Sequence, residues 1–247
     1  MEKRLYRKRW ITALTACFAI NIVEIIACNL PLLDMFRRGL LSTAEFNENI
    51  ITGDFHTPLQ YGVVQLVIYL FFIGYVVNNI SVQDMIRYTY RKKYWKNQFV
   101  KAVITTGAFV LLHELMSVAF LIMFGNVEIL IRHKWIQGAL FQIFSVILYY
   151  LFAYFLYEIL RSYMGQNRAL IITIILCAVA YYCSFKFFEN IWLPIDDVSL
   201  MGNLCTGIYS EKQCWLALLR LSETVILFCI LFFRIKDKED LLIYEKR

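Results

Sequence analysis

The chain has 247 residues, of which 60% are hydrophobic and 18% charged, with a formal net charge of +6. Together with a mean hydropathy of +0.58, this excludes an ordinary soluble globular domain. The cations gather in short segments between apolar runs, so the positive balance calls for no nucleic-acid partner.

A hydrocarbon core of roughly 30 Å takes about 20 helical residues to cross. In chain order, six apolar runs meet that length, at approximately 10–33, 61–80, 99–124, 137–160, 168–188 and 215–234. They are too long and too uniformly apolar for the alternating strands, of about ten residues each, that build membrane barrels. The expected fold class is all-α: a polytopic membrane protein with six transmembrane helices, forming a single transmembrane domain over 1–247.

The first run follows KRLYRKR, which looks like the charged start of a secretory signal. Its apolar part is longer than the usual 7–15 residues and contains Glu24, so a retained helix is expected. The next connections separate the cations by side. The amino terminus, the 81–101 region, the 161–168 turn and the tail carry eighteen Lys and Arg, against five in the alternate loops. Both termini are therefore expected in the cytoplasm, in a multi-pass protein of the plasma membrane.

Before the last helix comes ENIWLPIDDVSLMGNLCTGIYSEKQ, which mixes Ile191, Trp192, Leu193, Ile195, Leu200, Met201 and Leu204 with acids and glycines. One reading is a re-entrant outer segment shielded by protein; the other is a surface loop anchored at the headgroups. Most of the seven cysteines sit inside apolar runs as small packing residues. Cys205 and Cys214 share this outer loop, and the sequence leaves their pairing open.

The chain carries no complete catalytic pattern. Gly202-Asn-Leu-Cys-Thr-Gly207-Ile208 has Ile where a phosphate loop needs Lys, and His113-Glu114-Leu-Met-Ser117 has Ser where a zinc motif needs its second His. No enzyme activity, metal site or bound cofactor is expected in this chain. Glu24, Glu114, Arg220 and Glu223 do stand out, because charge inside a membrane costs about 2.5–3.5 kcal/mol per residue on insertion scales. They are expected in the outer half of the membrane, either as a polar lining for a cavity or as ion pairs that fix helix packing. Arg220 and Glu223, at i,i+3, share a helix face.

The stretch IRYTYRKKYWKNQF, residues 86–99, interleaves Arg87, Arg91, Lys92, Lys93 and Lys96 with Tyr88, Tyr90, Tyr94, Trp95 and Phe99. As a helix it is amphipathic and lies at the cytoplasmic surface. It is either an anchor for anionic lipid or a docking helix for a protein partner.

Six helices in this length, a basic-aromatic loop between the second and third, and a semi-apolar segment before the sixth resemble the permease subunit of an ABC-2 type transporter. The string RYTYRKKYWKNQF is similar to the loop of small Gram-positive permeases that serve lantibiotic or peptide export and immunity. The resemblance implies a separate cytoplasmic ABC ATPase carrying ATP and Mg, a second permease subunit, and an amphipathic cargo such as an antimicrobial peptide. It also implies that Arg87, Tyr90, Arg91, Lys92, Tyr94 and Trp95 form the ATPase-coupling helix. MEKRLYRKRW is short for the amphipathic interface helix with which many such permeases begin. The alternative from another class is a non-transporting immunity or binding protein, or an accessory subunit.

Overall fold

The computed structural model describes residues 2–52, 57–77, 91–187 and 191–238. In chain order these form α1 (Glu2–Arg37), α2 (Thr43–Thr52), a π-helical turn (Gln60–Val64) that runs into α3 (Gln65–Val77), α4 (Arg91–Phe124), α5 (Val127–Arg132), α6 (Trp135–Met164), α7 (Gln166–Lys186), α8 (Leu200–Cys205) and α9 (Glu211–Lys238). Among the described residues there is no strand. Six helices are long and apolar enough to cross a membrane: Lys8–Arg37, Gln60–Val77, Tyr94–Phe124, Trp135–Met164, Gln166–Ser184 and Glu211–Asp237.

Most of the helices overrun the apolar runs that announce them, because a helix continues as long as backbone bonding and burial favour it. The clearest case is α4, which begins at Arg91, inside the basic stretch, rather than at 99. Its first turns turn Tyr94, Trp95 and Gln98 into the core while Lys96 stays exposed. α9 begins at Glu211 rather than 215, because Ser210 and Gln213 cap one another's backbone: Gln213 Oε1 accepts from Ser210 N at 2.7 Å and Ser210 Oγ accepts from Gln213 N at 3.4 Å. The same device, Ser42 with Glu45, starts α2.

The spans differ in how deeply they sit. α3 and α6 are each 61% buried over their apolar windows, against 22% for α1, 17% for α7 and 28% for α9. α3 and α6 are thus the middle of the bundle. Between them Tyr69 stacks on Tyr150 with ring centroids 4.6 Å apart, and Phe109 of α4 closes edge-on against Tyr69 at 5.5 Å. Such pairs add about 0.5–1.5 kcal/mol each beyond the area they bury. α6 and α7 are joined through Gly165 at φ 83, a left-handed turn that glycine adopts at no steric cost.

The segment before α9 is folded onto the bundle. Ile195, Val198, Leu200, Met201 and Leu204 are buried, and one α6 side chain holds the backbone between them. Gln142 donates to Val198 O at 2.6 Å and accepts from Met201 N at 3.0 Å. Cys205 and Cys214 are both buried free thiols.

Candidate functional site

α1 turns one narrow stripe inward, Ala13, Cys17, Asn21, Ile25 and Asn29, spaced by four so that they stack on one face. Glu24 lies at the edge of that stripe and is half-buried. Facing it is the π-helical turn. The Gln65 N–H bonds back to Gln60 O, and the wider turn directs Gln60, Tyr61 and Gln65 all into the core. Turns of this kind recur at functional sites because they re-aim side chains and shift carbonyls out of the regular ladder. Here two of those carbonyls are taken by α6: Tyr150 Oη donates to Tyr61 O at 3.1 Å and Tyr149 Oη to Gly62 O at 3.1 Å. Gly62 lets Ile195 pack close: a Cβ there would lie 2.4 Å from Ile195 Cδ1 and would force that side chain to shift.

The side chains converge into one buried network. The Glu24 carboxylate accepts from the amides of Gln60 and Gln65. Gln65 Nε2 lies 3.2 Å from Asn21 Oδ1, and His113 Nδ1 approaches the same oxygen at 3.4 Å. Next along α4, Glu114 Oε1 accepts the Tyr61 hydroxyl at 2.6 Å, and the Tyr61 ring meets His113 edge-on at 5.4 Å. Asn21, Tyr61, Gln65, His113 and Glu114 are all at most 2% exposed. Neither Glu24 nor Glu114 has a Lys or Arg partner among the described residues, although buried carboxylates ordinarily pair. Asn21 Nδ2, Gln65 Oε1 and Glu114 Oε2 are buried without any hydrogen-bond partner among the described residues.

A second cluster lies where α4 starts and α6 and α9 end, and it sets one carboxylate between two cations. Glu158 takes Arg161 Nη1 at 2.9 Å and stands 3.6 Å from Lys236 Nζ. Lys236, fully buried, also donates to Ser162 Oγ at 2.8 Å and lies 4.9 Å above the Trp95 ring. A third acid, Asp197 in the segment before α9, is fully buried and takes Arg220 Nη2 at 2.9 Å and the Trp192 indole at 2.7 Å. Burial pushes the Asp197 carboxyl above the usual range, against the pull of Trp192 and Arg220.

The four intramembrane charges expected from sequence therefore separate. Glu24 and Glu114 fall in one network. Arg220 pairs with Asp197 of the segment before its own helix and lies over Trp192 at 5.3 Å rather than meeting a Glu on another helix, while Glu223 is exposed on α9. Of the residues expected in a coupling helix, Arg87 and Tyr90 lie outside the described residues. Arg91 and Lys92 form the first turn of α4, their side chains outside the described set. Tyr94 and Trp95 are 3% and 4% exposed and meet edge-on, and Trp95 packs against the end of α9, meeting Phe232 edge-on.

Sequence reasoning missed Glu158, Lys236, Asp197 and the amides around Glu24. Glu158 with Arg161 at i,i+3 was the available signal for the second cluster. The amides carried none, because only the packing of α1 against α3 brings them to Glu24.

No family model, curated protein or solved structure matches this chain.

Proposed function

We propose that the chain is the transmembrane permease subunit of an ATP-driven exporter, with both termini in the cytoplasm of a plasma-membrane protein. A separate ABC ATPase would dock on the basic stretch 86–93, and a second permease subunit would complete the path. The observation that carries this reading is the continuity of α4. One unbroken helix of 34 residues begins inside the basic stretch and carries His113 and Glu114 into the buried network. At about 1.5 Å per residue, Arg91 and Glu114 are roughly 35 Å apart along one rod. A push at its start is delivered to the network as a rigid displacement. Trp95 and Lys236 tie the same rod to α9, so α4 and α9 would move together.

The test is the double variant Arg87→Glu with Arg91→Glu, with Trp95 left intact because it packs in the core. Affinity purification from the native membrane should recover an ATPase with the parent protein and lose it with the variant, at equal membrane insertion. An equal yield of active ATPase with the variant contradicts the docking assignment. Recovery of no ATPase with the parent favours a non-transporting binding or immunity protein.

A further inference from the structure

We propose that the Glu24–Gln65–Glu114 network is a binding site for one monovalent positive charge, an alkali ion or a proton.

Two carboxyl groups share one connected network in the bundle core, and every group bonded to them is neutral: Gln60 and Gln65 on Glu24, Tyr61 on Glu114. Uncompensated charge in an apolar interior is unfavourable enough that such groups pair, take a proton or hold an ion. The orphaned atoms point the same way. Glu114 Oε2 and Gln65 Oε1 are two buried oxygen acceptors with no donor among the described residues. Like the Glu24 carboxylate they are oxygen atoms, the ligand type that suits a hard cation. Asn21 Nδ2, the unpartnered donor beside them, suits a water in the same shell. Among the described residues no three His, Cys, Asp or Glu converge to hold a metal. That leaves too few charged ligands for a divalent ion, which calls for a denser carboxylate set.

The titratable groups that face the site are Glu24 from α1, Tyr61 from the π-helical turn, Tyr69 from α3, His113 and Glu114 from α4, and Tyr150 from α6. None of these elements brings a Lys or Arg to either carboxyl. Half-buried Glu24 is the edge through which the charge enters; Glu114 is the buried end.

The experiment is thermal unfolding of the full chain in lipid nanodiscs, titrating NaCl against choline chloride at constant ionic strength, at pH values from 5 to 8. An alkali site predicts a saturable rise in Tm with sodium, about 5–10 °C at a hundredfold excess over Kd, that is absent in choline. A proton site predicts a Tm that rises as pH falls, equally in both salts. In either case Glu114→Gln, which keeps an acceptor for Tyr61, removes the response, and Glu223→Gln on the exposed face of α9 retains it. If Glu114→Gln fails to give a monodisperse protein, Glu24→Gln carries the same test. A Tm independent of both sodium and pH, or a response that survives in these variants, overturns the proposal.

Discussion

Glu114 and Glu158 are the same residue at the same depth of burial, in two regions of one bundle, and the bundle treats them oppositely. Glu158 has Arg161 and Lys236 within ion-pair distance and an aromatic ring over the lysine. Glu114 has a tyrosine hydroxyl on one oxygen and nothing among the described residues on the other. One carboxylate is closed by the protein's own charges and can only hold helices together. The other is left short of positive charge, which is the condition of a site that takes its charge from outside.

The hardest way to break this comparison is to unbalance the closed cluster. Glu158→Leu removes the one carboxylate that the fully buried Lys236 and Arg161 share. Breaking a buried pair from one side costs about 3–5 kcal/mol, and thermal unfolding in nanodiscs should show it. Adding Lys236→Met to Glu158→Leu should recover part of that loss, since of the two cations only Arg161, 11% exposed, then faces the lost carboxylate.

A smaller effect compares two glutamines. Gln142 has both ends of its amide bonded to backbone, whereas Gln65 has an idle oxygen. Gln142→Leu strands the buried Met201 N–H at about 1–3 kcal/mol, while Val198 O keeps Ser145 Oγ at 3.1 Å. Hydrogen exchange over 195–205 should accelerate in that variant.

The smallest concerns Asp197, whose partner Arg220 has a side chain 42% exposed. Solvent screening holds the loss in Arg220→Met to about 1 kcal/mol. Its sign with pH is fixed. The Asp197 carboxyl is raised on folding, so folding takes up a proton, and stability falls as pH rises from the ordinary Asp value through the raised one. The penalty of Arg220→Met should therefore grow from acid to neutral pH, as read by unfolding at pH 4 and pH 7.

The fold was largely legible because the bilayer imposes a length, and the six apolar runs fall on six helices. Their ends were not, because Tyr94, Trp95 and Gln98 lower hydropathy while still packing inward, and because the Ser210–Gln213 cap starts α9 before its apolar run. Glu24 and Glu114 stood out as expensive charges, but a sequence does not say which helices touch. Their partners Asn21, Gln60 and Gln65 became visible only with α1 set against the π-helical turn. Lys236 was counted as one more cation of the tail, and its burial follows from α9 extending to Lys238 alongside α6.

The contrast between the two glutamates is tested most directly by making the same substitution in each. Glu114→Gln and Glu158→Gln are compared with the parent in nanodiscs in choline chloride at pH 8, by the free energy of unfolding. Glu158→Gln should lose about 3 kcal/mol, because it leaves Lys236 and Arg161 without their counter-charge. Glu114→Gln should change stability by less than about 1 kcal/mol, or increase it, because it removes an uncompensated charge. Equal losses at the two positions would mean that Glu114 is as fully paired as Glu158, and the account of an open site would be wrong.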